Sequence, residues 1–131
     1  MTGEVSMPWF AAHAIVYFRF QDGRGGAIPV WENVILVEAP DRSSAARVAE
    51  ETSSAGEGDF NGLGEIGGRR GEVVFAGIRK VELVHAGEGG PQHGDEISYV
   101  ELTAPDMASV EALARGDSVL VTCDRVADAR P

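Results

Sequence analysis

The sequence contains one cysteine, no long apolar run and no excess of positive charge. Because Cys123 stands alone, the chain forms no internal disulfide and no metal site made only of cysteines. Cys123 ends an apolar run, where we expect it to be buried. No run approaches the roughly 20 apolar residues of a membrane span. The first residues lack the basic start and apolar stretch of a signal peptide, so we expect a cytoplasmic protein that does not enter a membrane.

Negative charge dominates the composition. The 21 acidic residues outnumber the 11 basic residues, which gives a formal net charge of −10 and a pI of about 4.6. Such a charge repels the phosphate backbone of nucleic acids, so we expect no nucleic-acid partner. The same charge steers basic proteins towards the chain.

The motifs of familiar enzymes are missing as well. The sequence has no P-loop, no H-E-x-x-H and no G-x-S-x-G. Residues 62–67 spell G-x-G-x-x-G, but that motif requires a strand before it and a helix after it, and the predicted order here is the reverse. His85 and His93 flank a glycine-rich link and are interpreted as loop histidines, not zinc ligands. The sequence therefore predicts no metal, no cofactor and no catalytic residues, and it favours a protein that is not an enzyme.

Hydrophobic periodicity predicts five strands and two helices within a single domain over residues 1–131. The glycine-rich stretch 53–71 is predicted to be a loop or to contain a hairpin at Asn61-Gly62, and 124–131 a flexible tail. The predicted strands are 9–20, 30–39, 72–84, 96–103 and 118–123, and the predicted helices begin at Asp41 and Asp106.

The predicted order β-β-α-β-β-α-β corresponds to an α+β fold with a mainly antiparallel sheet. Its last six elements match the β-α-β-β-α-β plan of ferredoxin-like sheets. In that plan both helices cover one face of the sheet. The other face would then be open to a ligand, a protein partner or a second copy.

One face of the first strand combines aromatic and polar side chains. Strand alternation places Trp9, His13, Tyr17 and Arg19 together. Trp, Tyr and Arg are enriched in binding hot spots, so we interpret this group as a candidate binding surface. The alternative interpretation is that the two aromatic residues cover a sheet edge and His13 is a structural residue.

A second group of candidate residues is formed by Trp31, Glu32 and Arg79. A carboxylate beside an aromatic ring is suited to orienting a ligand. The interpretation we favour is an ion pair between Glu32 and Arg79 or Lys80 on a neighbouring strand, which stabilises an exposed pair by about 1 kcal/mol or less.

Several segments resemble a known family in their order and spacing. They are residues 7–13, 29–34, 36–39, 75–80 and 94–99. Over roughly residues 7–103 the chain resembles the bacterial family called domain of unknown function 4288. The resemblance implies a compact bacterial α+β domain and brings no known activity or catalytic residues. The first predicted helix and the stretch 53–71 depart from the family pattern.

Three functions are compatible with these features. The favoured one is a non-enzymatic protein-interaction or ligand-binding module that uses the open sheet face, as a homodimer or with another protein. The second is an immunity or inhibitor protein that neutralises a basic partner, because charge complementarity speeds association. The third is a small enzyme or small-molecule sensor in which His13 acts as an acid or base together with Glu32 or Arg79.

Overall fold

The computed structural model of the protein describes residues 7–55 and 63–123. The chain divides into two compact units, Met1–Ser98 and Tyr99–Pro131, and the single-domain interpretation stays a prediction. The predicted tail, 124–131, lies outside the described residues. The described part contains no helix that is long and apolar enough to cross a membrane. The elements are β1 (Trp9–Phe20), β2 (Val30–Glu38), α1 (Arg42–Ala55), β3 (Leu63–Ile66), β4 (Arg69–His85), β5 (Leu102–Thr103), α2 (Met107–Arg115) and β6 (Thr122–Cys123).

The first unit is built on a four-stranded antiparallel sheet with the strand order β2-β1-β4-β3. Its α+β class and antiparallel sheet confirm the predicted fold class. The short link between β1 and β2 closes a hairpin, and its ladder runs without a register shift from Trp9 opposite Glu38 to Tyr17 opposite Val30. β4 pairs with the other side of β1, so β1 is a central strand.

β4 has three places where its register against β1 shifts. At each shift β4 contains one extra residue that the register against β1 skips. These residues are Ala76, Arg79 and Val84. Such bulges bend a strand and increase its twist. The three extra residues explain how residues 71–85 of β4 pair with the shorter span 9–20 of β1, and why the sheet is curled.

The core of the first unit lies between α1 and one face of the sheet. Ala45 and Ala49 of α1 are fully buried, as is Ala12 of β1. Because these side chains are small, the helix lies close to the strands, where it packs on Phe10 and Val37. The helix begins after Asp41, as predicted. The Asp41 carboxylate caps it by accepting a hydrogen bond of 2.8 Å from the Ser44 amide. This bond holds the pKa of Asp41 below its ordinary value.

The strand order differs from the ferredoxin-like plan. In this chain β2 pairs with β1 through residues 21–29, a link shorter than a parallel crossover requires, and the place of β2 is at the edge. The predicted strand 96–103 is reduced to the two residues of β5, and the predicted strand 118–123 to the two residues of β6. These two form a separate ladder. Within the first unit, α1 packs on the four-stranded sheet.

The glycine-rich stretch 53–71 contains more structure than a loop. α1 continues to Ala55, and β3 pairs with the start of β4 through a turn at Gly67-Gly68. Both turn residues have positive φ, +58° and +80°, which glycine adopts without strain and which a tight hairpin turn requires. The alternative of a hairpin was therefore right in kind but misplaced, and Asn61-Gly62 lies outside the described residues.

An ion pair joins the start of the β1–β2 link to this hairpin. Arg69 donates to both carboxylate oxygens of Asp22, at 2.6 and 2.8 Å, and its guanidinium lies 3.7 Å above the ring of Phe20. These hydrogen bonds hold the pKa of Asp22 well below its usual range. The bidentate geometry fixes the position of the hairpin relative to β1.

We expect Gly71→Ala to destabilise the protein by about 1–3 kcal/mol. A Cβ atom at Gly71 would lie 2.4 Å from the Arg19 carbonyl oxygen and 2.5 Å from the Phe18 ring. The matched control is Gly64→Ala on the facing strand, where the new Cβ would lie 3.5 Å from the same ring. Urea unfolding of both variants measures the effect. Equal stability of the two variants would contradict this account of the contact.

The second unit contains α2 and the short ladder of β5 and β6. Asp106 caps the start of α2 by accepting a hydrogen bond of 2.8 Å from the Ser109 amide, and Gly116 ends the helix with φ of +87°. No residue of α2 is buried. Cys123 is exposed, so the prediction that it is buried was wrong: it lies in the two-residue strand β6, both of whose residues are exposed.

Candidate functional site

His13 lies in the middle of β1, on the face opposite α1, and is 1% exposed. The expectation that its ring belongs to an open surface was wrong, because the segment after β4 crosses this part of the face. Ser98 of that segment contacts the imidazole. Further along the same face, Gly90 is buried against the indole of Trp9. His13 is therefore a buried polar residue whose hydrogen bonds must be made within the protein.

The Nδ1 atom of His13 lies 2.6 Å from Oε2 of Glu32 on β2. Val34 is directly opposite His13 in the ladder, so Glu32 reaches the ring diagonally from the neighbouring position on the same face. A carboxylate accepts hydrogen bonds and does not donate them. Nδ1 therefore carries the hydrogen, which leaves Nε2 as the atom that can gain or lose a proton.

The Nε2 atom of His13 contacts the hydroxyl oxygen of Ser98. The same hydroxyl lies 2.7 Å from Oε1 of Glu82, which is 3.8 Å from Nε2. Ser98 has one hydroxyl hydrogen and two acceptors for it. It donates to Glu82 when Nε2 is protonated, and it donates to Nε2 or to Glu82 when the ring is neutral.

Two cations complete the cluster. Lys80 Nζ lies 3.6 Å from Glu82 Oε1, and Arg79 Nε lies 3.9 Å from Glu32 Oε2. Adjacent residues of a regular strand point to opposite faces, but Arg79 is the extra residue of a bulge. The bulge brings its side chain to Glu32 on the face of the sheet where Lys80 lies beside Glu82. The ion pair favoured from the sequence, Glu32 with Arg79, is present.

The other predicted site residues lie apart from this cluster. Arg19 is exposed and forms an ion pair with Glu72 of β4, and Tyr17 is half-buried between Val30 and Val74 in the ladder. Trp31 stands opposite Val16, so it belongs to the α1 face of the sheet. The structure therefore brings together His13, Glu32 and Arg79 from the predicted set.

Ser98 and Glu82 were not predicted to belong to the site. Ser98 lies outside regular structure and is 85 residues from His13 in the chain, so no sequence pattern connects the two. Glu82 is identified only when the register of β4 against β1 is known, because three bulges change which residues share a face.

The cluster has the chemical parts of a nucleophilic site. A serine hydroxyl contacts an imidazole, and a carboxylate orients that imidazole through its other nitrogen. Among the described residues, no group of three or more His, Cys, Asp and Glu side chains is arranged to hold a metal ion. A cleft of about 410 Å³ lies elsewhere, at the β3–β4 hairpin, and is lined by Gln21, Gly64, Glu65, Arg70 and Gly71.

Comparison with known proteins gives no match to a family model, to a curated protein or to a solved structure. The resemblance to the family called domain of unknown function 4288 stays a prediction. The function is therefore argued from the geometry of the chain alone.

Proposed function

We propose that the protein is an interaction module that forms a homodimer through the outer edge of β2, so that two four-stranded sheets join into one. Addition of a strand to an exposed sheet edge is a common mode of protein recognition, in which backbone hydrogen bonds supply affinity and side chains supply specificity. The observation that carries the proposal is a nine-residue edge strand with exposed apolar side chains.

The outer edge of β2 presents regularly spaced backbone groups. At the two ends of the hairpin, Phe18 donates to the carbonyl of Pro29 and Ala39 donates to the carbonyl of Pro8. Antiparallel ladders alternate between bonded and non-bonded pairs, so the odd-numbered residues of β2 bond to β1. The even-numbered residues therefore direct their N–H and C=O groups away from β1. Within the described residues, no strand pairs with that side.

The side chains beside this edge are unusually apolar for an exposed strand. Val30 is 57% exposed, Val34 40% and Leu36 41%, and all three are even-numbered residues on one face. Natural edge strands are commonly protected from pairing by lysine, proline or a bulge. β2 contains none of these, which supports a partner at this edge.

The pattern of β2 suits pairing with its own copy. An isologous contact about a two-fold axis pairs a strand with itself in the antiparallel sense, and the fully overlapped register is centred on Val34. In that register Val34 faces Val34, while Glu32 faces Leu36 and Glu38 faces Val30. No two carboxylates stand opposite one another, although like charges directly opposite would destabilise the ladder. The register that pairs all nine residues of β2 with their copies therefore also keeps the glutamates of the two chains from facing each other.

We expect the wild-type protein to be a dimer, and Val34→Lys to raise its dissociation constant by at least about 100-fold. Two lysines would face each other across the axis, and juxtaposed like charges at an interface cost several kcal/mol. Light scattering coupled to gel filtration over a dilution series measures the mass. Val34→Pro tests the backbone separately, since the Val34 amide points outward and the hairpin keeps its own bonds.

Leu83→Lys is the matched control, because it makes the same change of charge at a half-exposed apolar residue on β4. We expect this variant to remain a dimer. A wild-type mass equal to one chain at all concentrations would overturn the proposal, and so would equal weakening by Leu83→Lys. Capture of a basic protein by a monomeric wild type would favour the inhibitor function instead.

A further inference from the structure

The geometry points to Ser98 as a nucleophile that His13 activates as a general base and Glu32 positions, for acyl transfer from small activated esters. The inference is independent of the proposed homodimer. It rests on the contact between the Ser98 hydroxyl and Nε2 together with the 2.6 Å contact between Nδ1 and Glu32. Nucleophile, base and orienting carboxylate in this order are the parts of a catalytic triad, which is recognised by geometry and not by sequence position.

Burial separates the roles of the two residues. Ser98 is partly exposed, whereas His13 beneath it is 1% exposed. Of the two side chains, Ser98 is therefore the one that a reagent in solution can approach. The Ser98 oxygen lies next to Nε2. A general base must lie this close to the hydroxyl whose proton it removes.

The reaction follows from the positions of these groups. The Ser98 oxygen forms a bond to the ester carbonyl carbon while its proton moves to Nε2 of His13. The tetrahedral intermediate then collapses, the bond to the alkoxide breaks, and the alkoxide takes the proton from Nε2. The products are an alcohol and an acyl ester of Ser98. Water then bonds to the acyl carbonyl carbon while it loses a proton to Nε2. The bond from that carbon to the Ser98 oxygen breaks, the serine oxygen takes the proton from Nε2, and the acid is released.

Glu82 has the opposite effect on this chemistry. It accepts the Ser98 hydroxyl hydrogen at 2.7 Å, and a serine that donates to Glu82 does not donate to His13. Its negative charge also opposes an oxyanion that develops beside Ser98, although Lys80 lies 3.6 Å from the same carboxylate oxygen. Replacing Glu82 by glutamine should therefore direct the hydroxyl to His13 more often and speed the reaction.

The test is labelling of the full-length protein with an alkyl fluorophosphonate. In this reaction the Ser98 oxygen bonds to phosphorus, fluoride leaves and the proton moves to Nε2. Intact mass and peptide mapping locate and time the label. We expect one label on Ser98, no label in Ser98→Ala, and a rate lowered by about 10²-fold or more in His13→Gln. We expect Glu82→Gln to label faster than the wild type.

Two further variants separate reactivity from folding. Ser43→Ala removes an exposed serine at the start of α1 and should leave the label unchanged. Glu32→Gln tests a positioning role, because it should change the ratio of labelling rates at pH 8 and pH 5, which a loss of folded protein alone would not change. Melting curves of each variant report the folded fraction. A wild-type protein that takes no label, or takes it at another serine, overturns the inference whatever its oligomeric state.

Discussion

Replacement of Phe10 by alanine is expected to destabilise the first unit by about 3–5 kcal/mol, which is a large part of the stability of a small protein. Phe10 is 4% exposed and lies in the cluster formed by α1 and the sheet. Four of the five other buried residues of this cluster are alanines, which cannot extend to fill the space that a lost ring leaves. The cavity cost is therefore added to the lost hydrophobic transfer energy. Urea unfolding followed by far-UV circular dichroism measures the change.

Leu83→Ala provides the matched control for Phe10. Leu83 stands directly opposite Phe10 on the same face of the sheet but is 51% exposed. Because half of its apolar surface is already in water, its removal should cost about 1 kcal/mol or less. If Leu83→Ala were as damaging as Phe10→Ala, the core would extend over this edge of the sheet, against the burial described above.

Replacement of His13 by alanine is expected to cost about 2–4 kcal/mol. The substitution leaves a cavity in a fully buried site, and it removes the partner of Glu32 and a partner of Ser98. Polar groups that lose a buried partner are destabilising beyond the value of the lost bond. The free energy of unfolding at neutral pH, from urea titration, measures the cost.

Two variants test whether the hydrogen bonds of His13 cause this loss. The double variant His13→Leu, Glu32→Leu removes both partners of the 2.6 Å contact. It should be more stable than His13→Leu alone, because the Glu32 carboxylate no longer faces an apolar side chain that offers it no hydrogen bond. His85→Ala is the control histidine, since its ring makes one bond of 3.2 Å to the Glu88 carbonyl at an exposed position. We expect it to change stability by about 0.5 kcal/mol or less. A neutral effect of His13→Leu would contradict a stabilising role for the cluster.

The sequence predicts the regular elements well where local signals act alone. β1 alternates between two faces, and Asp41 and Asp106 cap the starts of the two helices. Apart from the pairing of β1 with β2, which their short link favours, the arrangement of the strands could not be read from such signals. The choice between hairpin pairing and a crossover depends on which edge each strand finds after collapse, and a ferredoxin-like pattern of elements is compatible with more than one order.

The candidate site shows the same limit at the level of side chains. Alternation correctly separated His13 from the residues that face α1, and charge complementarity correctly paired Glu32 with Arg79. Burial of His13 could not be predicted, because it depends on a segment without regular structure that begins more than 70 residues later. The contact with Ser98 follows from the path of that segment and from no local pattern.

The bulges of β4 make the two sides of the sheet unequal in their tendency to aggregate. Three extra residues bend β4, and a bent, strongly twisted strand is a poor template for a straight one. β2 has no such interruption, so an incoming strand from any chain meets a strand without bulges on that side. If β2 forms the proposed homodimer, strand addition is discouraged at β4 and directed to β2, where it ends after one added copy because the partner's own edge is used up. In the proposed homodimer, the same bulges that place Arg79 on the face of Lys80 would thus favour a closed pair of chains over an open-ended fibre.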